Sequence, residues 1–84
     1  MAIKILYFAA LRDALGSADE TLDLPEGVAT VGELRLHLAG RGDDWTALDV
    51  SRNVRAARNH RMVQPSETVT DGDEIAFFPP VTGG

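Results

Sequence analysis

The two ends of the 84-residue chain are its most strand-like segments, and they limit what the chain can fold into. Ala2–Phe8 and Glu74–Phe78 are rich in isoleucine, leucine, tyrosine and phenylalanine, which favour β-strands. In each segment apolar side chains fall on both faces of the strand, as is typical of strands in the middle of a sheet. We therefore predict that the first and last strands of the domain are central and adjacent.

Hydrophobic periodicity and turn residues predict the elements between these two strands. Thr30 and Glu33 have the spacing of a capping box, in which each side chain takes one unpaired amide at the start of a helix. Asn59-His60 suits a tight turn, because asparagine tolerates a positive φ. The predicted elements are a short helix over Ala9–Leu15, a strand over Glu20–Leu24, a helix over Val31–Ala39, a short helical or irregular segment over Asp43–Val50, and strands over Val54–Arg58 and Arg61–Val63.

Five strands and one main helix in this order predict an α+β fold of the β-grasp type. In that fold one helix packs across a mixed sheet of about five strands. Pro79 and Pro80 have no amide donors and cannot extend a strand ladder. We therefore expect a β-grasp domain over residues 1–78 and an extended C-terminal tail over residues 79–84.

The tail ends in Gly83 and Gly84, which carry no Cβ atoms and can pass where other residues would collide with a channel wall. The six residues after Phe78 could span roughly 20 Å at about 3.3 Å per residue. We predict a flexible tail whose terminal carboxylate is the reactive group. A carboxylate with a reference pKa of about 3.5 is ionised at neutral pH. Chemistry there therefore requires activation, typically as a mixed anhydride with AMP made from ATP by another enzyme.

Composition excludes several other classes of protein. A net charge of −5 argues against a nucleic-acid-binding protein, which needs lysine and arginine to neutralise phosphates. The absence of cysteine excludes disulfides and thiolate metal sites. No apolar run approaches the roughly 20 residues of a membrane span, and the N-terminus lacks the pattern of a signal peptide. We expect a cytoplasmic protein with no membrane partner. Lys4 is the only lysine, which disfavours a tag that forms chains on itself.

The chain resembles the MoaD family, the ubiquitin-like sulfur-carrier small subunits of molybdopterin synthase. The resemblance covers the whole chain and is densest over Leu6–Ala9 and Thr70–Gly84. It implies that a MoeB-type adenylyltransferase adenylates Gly84 and that a sulfur donor enzyme supplies the sulfur of a thiocarboxylate. The thiocarboxylate would then pass its sulfur to cyclic pyranopterin monophosphate, in a site formed by a MoaE-type large subunit, to make molybdopterin.

The same resemblance assigns roles to individual residues. Gly84 would carry the sulfur, and Gly83 would let the tail enter two active sites. Phe78 would contact the large subunit, and alternation along the strands places it with Leu6 and Phe8 on the sheet face opposite the main helix. The remaining expected partner contacts lie in the tail, at Pro79, Pro80, Val81 and Thr82. The chain itself would bind no cofactor or metal, and the catalytic groups would belong to the large subunit of an assembly with two copies of each subunit.

Three other functions are compatible with the same residues. They are a sulfur carrier for thiazole synthesis, a modifier attached to lysines of other proteins, and an interaction domain whose tail takes no part in chemistry. Arg55, Arg58 and Arg61 make the predicted hairpin unusually basic for this family. We interpret these three arginines as solvated charges, with partner recognition as the alternative.

Overall fold

The computed structural model describes residues 2–49 and 51–80. The predicted roles of Val81, Thr82, Gly83 and Gly84 therefore lie outside the described residues. In the described part the elements follow one another as β1 (Ala2–Tyr7), α1 (Ala9–Leu15), β2 (Asp19–Asp23), α2 (Val31–Ala39), a 3-10 helix (Asp43–Leu48), β3 (Arg55–Arg58), β4 (Arg61–Val63) and β5 (Glu74–Phe78).

The described strands form one mixed sheet in the order β2-β1-β5-β3-β4. β1 and β5 lie side by side and run parallel, with Ile5 opposite Ile75 and Tyr7 opposite Phe77. The remaining neighbours are antiparallel. The two terminal strands are thus central and adjacent, and the predicted β-grasp arrangement of strands and helix is confirmed.

Four predicted strand ends, in three strands, differ from the structure by one residue. β2 runs from Asp19 to Asp23 instead of Glu20–Leu24, and β3 begins at Arg55 instead of Val54. β1 stops at Tyr7, because the Phe8 carbonyl accepts hydrogen bonds from the amides of the first turn of α1. Phe8 is still extended and occupies the N-cap position of α1.

The core lies between the sheet and α2. On the inner sheet face, Tyr7 and Phe77 stack with ring centroids 6.4 Å apart. The helix starts at the predicted capping box, in which the Thr30 hydroxyl accepts from the Glu33 amide and the Glu33 carboxylate accepts from the Thr30 amide. Buried side chains from the sheet, α2 and the adjoining segments complete the core: Ile3, Ile5, Leu11, Leu15, Val31, Leu34, Leu38, Leu48, Val69 and Ile75.

Trp45, in the 3-10 helix, packs against one edge of this core. Its ring meets the Tyr7 ring edge to face, with centroids 5.5 Å apart, and the Arg41 guanidinium lies 4.4 Å from the Trp45 centroid. The Glu20 carboxylate also contacts these side chains. It accepts hydrogen bonds from the Arg41 guanidinium and from the Tyr7 hydroxyl, both at 2.8 Å. Burial and this hydrogen bond to Glu20 raise the pKa of Tyr7, so the phenol remains a donor.

A charged network ties the β3–β4 hairpin to the start of β5. The buried Asp73 carboxylate accepts from Arg58 at 2.8 Å, from Asn59 at 3.0 Å and from the Thr70 amide at 2.8 Å. Arg58 also donates to Glu67 at 2.9 Å. The interpretation of Arg58 as a solvated charge was wrong, because the hairpin twists its guanidinium toward two carboxylates that follow it in the sequence.

This network makes part of the stability depend on pH. Burial alone would raise the pKa of Asp73, but the bonds from Arg58, Thr70 and Asn59 outweigh it and lower the pKa from 3.8 to about 2. The folded state therefore binds the proton less tightly than the unfolded chain. The resulting stabilisation is present above about pH 4 and is lost as the pH falls toward 2. At about 1.4 kcal/mol per pKa unit, it amounts to about 2 kcal/mol.

We expect Asp73→Asn to lower the free energy of unfolding by about 2 kcal/mol at neutral pH, with a difference from wild type that shrinks toward zero near pH 2. Urea unfolding followed by circular dichroism over this pH range measures the effect. Asp71→Asn, an exposed change in the same turn, is the matched control and should not reproduce the pH dependence. If D73N lowered the free energy of unfolding by the same amount at every pH from about 7 to about 2, the stabilisation would not come from the charge of Asp73.

Candidate functional site

The sheet face opposite α2 carries a row of apolar side chains that crosses four strands. In the register of the sheet, Leu6 lies opposite Ala76, Ala76 opposite Ala57, and Ala57 opposite Met62. Side chains at directly opposed positions share one face of a sheet. Phe78 lies on this face two residues beyond Ala76. We call the set the outer patch: Leu6, Phe8, Ala57, Met62, Ala76 and Phe78.

Exposure distinguishes the outer patch from the core behind it. Met62 is 64% exposed and Phe8 47% exposed, two of the large apolar side chains most accessible in the described part of the chain. Leu6 and Phe78 are half-buried, whereas their strand neighbours Tyr7 and Phe77 are fully buried. A contiguous set of accessible apolar side chains is typical of a protein interface.

The structure brings together Leu6, Phe8 and Phe78, the three partner-binding residues predicted outside the tail. The Phe8 amide donates to the Phe77 carbonyl, which places Phe8 beside the end of β5 next to Phe78. Sequence reasoning missed Met62, which extends the patch to the edge strand. The sequence does contain a signal for Met62. The tight turn at Asn59-His60 sets which residues of the two short strands oppose each other, and the alternation of side chains then places Met62 on the same face as Ala57.

The tail leaves the sheet at the border of this patch. Phe78 is the last residue of β5, and Pro79 and Pro80 follow it directly. Arg55 lies opposite Phe78 on the neighbouring strand, so a guanidinium borders the point where the tail starts. A partner bound to the outer patch would therefore lie next to the residues that lead to the C-terminus.

Charge is distributed unevenly around the outer patch. On one side β2 places Asp19 and Asp23 on the same face, at the level of Leu6 and Ala2. On the other side stands Arg55, which makes no ion pair within the described residues. A partner surface with an apolar centre and basic groups facing β2 would match this pattern.

The described residues themselves offer binding surfaces and no assembled metal site. Residues 2–49 and 51–80 contain no group of three or more histidine, cysteine, aspartate or glutamate side chains placed to hold a metal ion. None of the helices in these ranges is both long enough and apolar enough to cross a membrane. On the exposed hairpin, His60 Nε2 lies 3.1 Å from Glu74 Oε2.

Comparison with known proteins adds independent information. Residues 5–84 match the model of the ThiS family. The chain is 40% identical over 82 residues to the molybdopterin synthase sulfur carrier subunit of Escherichia coli, covering 98% of this chain and 99% of that protein. It is 35% identical over 86 residues to small archaeal modifier protein 1 of Haloferax volcanii, covering 92% and 94%.

Solved structures share the fold. The crystal structure of SAMP1 from Haloferax volcanii superposes with a TM-score of 0.76 at 30% identity, with both chains fully covered. A chain from the complex of subunits 1 and 2 of the molybdopterin-converting factor of Helicobacter pylori superposes with a TM-score of 0.66 at 20% identity, again with full coverage. The ubiquitin-like β-grasp fold predicted from the sequence is confirmed.

The difference in burial between the two sheet faces predicts different losses of stability at the adjacent residues Phe77 and Phe78. We expect Phe77→Ala to lower the free energy of unfolding by about 3 to 5 kcal/mol, because it leaves a cavity in the core. Phe78→Ala should cost less than about 1.5 kcal/mol, since its ring is already partly in water. Urea unfolding of the two variants beside wild type tests this. Equal losses would mean that Phe78 belongs to the core and is not available to a partner.

Proposed function

The chain belongs to the ThiS family, and we propose that it is the sulfur-carrier subunit of a molybdopterin synthase. The observation that carries this proposal is the match to several sulfur carrier subunits over nearly the full length of both sequences. The matched region includes Gly83 and Gly84, the residues on which carrier chemistry depends. An apolar patch that adjoins the start of the tail supports the same function, because a carrier must bind a partner and deliver its C-terminus in one step.

The proposed reaction takes place at the Gly84 carboxylate. A MoeB-type adenylyltransferase uses ATP to join the carboxylate to AMP, with release of pyrophosphate. Sulfur at the oxidation level of sulfide, supplied by a donor enzyme, then attacks the acyl carbon, displaces AMP and leaves a thiocarboxylate. The thiocarboxylate sulfur forms a bond to a carbon of cyclic pyranopterin monophosphate and displaces an oxygen from that carbon. Water then cleaves the bond between the sulfur and the Gly84 acyl carbon, which leaves the sulfur on the pterin and restores the carboxylate for another round of charging. The chain is thus a consumed and regenerated cosubstrate that binds no cofactor of its own, and the large subunit supplies the catalytic groups.

The outer patch is the proposed docking surface for the large subunit. Leu6, Phe8 and Phe78 supply its apolar centre, and Met62 extends it to the sheet edge. Pro79 and Pro80 follow Phe78 and cannot continue the strand ladder, so we propose that the tail enters a pocket of the partner while the domain stays outside. We also propose that the working assembly holds two copies of each subunit and is cytoplasmic.

The carrier chemistry is tested by the mass of the intact chain. After incubation with ATP, a MoeB-type adenylyltransferase and a sulfur source, we expect a mass increase equal to the replacement of one oxygen by sulfur. Deletion of Gly84 should abolish the increase, because the remaining terminus would no longer reach the activated position. The deletion variant should unfold at the same urea concentration as wild type. An unmodified wild-type chain in the presence of a demonstrably active enzyme would refute carrier chemistry.

The docking surface is tested by Phe78→Asp, which places a carboxylate in the outer patch at the start of the tail. We expect the affinity for the molybdopterin synthase large subunit, measured by calorimetry, to fall at least about tenfold, because the charge would lose its hydration in the interface. Leu36→Asp is the matched control, since Leu36 is 53% exposed on α2, away from the patch. Equal losses in both variants, or none in either, would contradict docking through the patch.

A protein-modifier function is the second candidate, supported by the similarity to small archaeal modifier protein 1. A modifier would form an isopeptide bond between the activated Gly84 and lysines of other proteins. A sulfur carrier for thiazole synthesis would share the thiocarboxylate and differ in its acceptor. The two carrier functions are separated by adding the pterin precursor to the charged chain and assaying for molybdopterin. The modifier is recognised by conjugates that form with ATP in a lysate and disappear when Gly84 is deleted.

A further inference from the structure

The edge strand β4 presents a second binding surface along its unpaired side, and of its residues only Met62 also belongs to the outer patch. β4 pairs only with β3 among the described strands, so its other side is not covered by another strand. Exposed strand edges carry unpaired backbone donors and acceptors, and they can accept an additional strand from another chain. Arg61–Val63 forms this edge, and Met62 projects from it with 64% of its surface exposed.

Two concavities lie against this edge strand and share Met62 and Val63. The first has a volume of about 420 Å³ and lies between the N-terminal half of α2 and the β3–β4 hairpin. The second, of about 410 Å³, lies at the turn end of the hairpin. We call the two together the β4 trough. Apolar groups line its first part, among them Val31, Val54, Ala56, Val63 and Phe77.

The walls of the β4 trough are held in place by hydrogen bonds. Arg35 on α2 donates to the carbonyls of Leu48, Asp49 and Arg52 at 2.6 to 2.7 Å, which fixes the segment that leads into β3. In the first turn of α2 the Gly32 amide donates to the Pro65 carbonyl at 2.9 Å. A Cβ on residue 32 would lie only 3.1 Å from the Pro65 Cβ, so glycine permits this close approach. A cavity with fixed walls loses little freedom when a ligand enters.

The charge of the β4 trough is opposite to that of the chain. The protein has 13 acidic and 8 basic residues, yet four arginines and a single acid, Glu67, line the trough. Glu67 is already paired with Arg58. Arg55 and Arg61 are exposed and make no ion pair within the described part of the chain. The lining arginines are Arg35, Arg55, Arg58 and Arg61.

We propose that the β4 trough binds an extended, acidic segment of a partner protein. The segment adds to the sheet as a strand beside β4, and a branched apolar side chain enters the space bordered by Val54, Ala56 and Phe77. Acidic residues on either side of it face Arg55 and Arg61. Ala56 and Val63 lie on the sheet face opposite the outer patch. The apolar pocket therefore lies on the other face of the sheet from the outer patch, while Met62 belongs to both surfaces and Arg55 borders both. Binding in the pocket does not depend on the proposed sulfur chemistry.

The probe for this proposal is a short synthetic peptide with Val-Leu-Val at its centre and two glutamates at each end. It is added to the isotope-labelled full chain, and amide chemical shifts are followed by NMR. We expect saturable shifts concentrated in residues 31–35 and 61–65 at peptide concentrations up to about 1 mM. A peptide with lysines in place of the glutamates should bind at least about tenfold more weakly. A peptide with proline at the central position should also bind more weakly, since it cannot complete the strand ladder.

Variants of the exposed arginines complete the test. The double variant Arg55→Glu with Arg61→Glu should weaken binding of the glutamate peptide at least about tenfold. Arg12→Glu, on the exposed side of α1, is the control and should bind as wild type does. Absence of shifts for every peptide, equal binding of the lysine peptide, or shifts confined to the outer patch would overturn the proposal. So would concentration-dependent shifts of residues 61–65 without peptide, which would identify a second copy as the occupant.

Discussion

The parallel pairing of β1 with β5 is the constraint on which the rest of the structure depends. Its register places Tyr7 opposite Phe77 and Leu6 opposite Ala76. Because side chains alternate along a strand, a shift of one residue would exchange the core with the solvent-facing surface. The same pairing therefore determines both the buried stack under α2 and the outer patch. Because the two strands are parallel, it also places the start of the C-terminal tail beside the end of β1, where the Phe8 amide donates to the Phe77 carbonyl.

Asp73, the residue directly before β5, stabilises this register through hydrogen bonds to both strands that neighbour β5. Its backbone carbonyl accepts from the Lys4 amide at 2.9 Å, which ties it to β1. Its carboxylate binds Arg58, Asn59 and the Thr70 amide, which ties the same residue to the β3–β4 hairpin and to the preceding turn. One residue, through its backbone carbonyl on one side and its carboxylate on the other, thus connects both neighbours of β5. Charged groups this well paired can be buried at the end of a sheet without an unsatisfied hydrogen-bonding atom.

Local chemistry was sufficient to predict most of the fold. The capping box at Thr30, the tight turn at Asn59 and the apolar terminal strands each depend on residues close together in the sequence. The missed features depend on distant contacts. The role of Arg58 follows from a carboxylate fifteen positions later, and periodicity cannot indicate such a partner. Met62 joins the outer patch only once strand pairing places it level with Ala57. The site at Gly83 and Gly84 came from composition and family resemblance, and it lies beyond the described residues.

The adjacent residues Phe77 and Phe78 show how one short strand can serve stability and binding separately. Phe77 is fully buried in the core, and Phe78 lies on the opposite face at the start of the tail. Substitutions on the outer face can therefore change affinity for a partner with little effect on folding. In the proposed reaction the tail must enter an activating enzyme and then a large subunit, so each complex has to dissociate in every cycle. A patch of six side chains, of which Leu6 and Phe78 are already half-buried, suits such exchange, because docking removes only a limited apolar area from water and leaves dissociation fast.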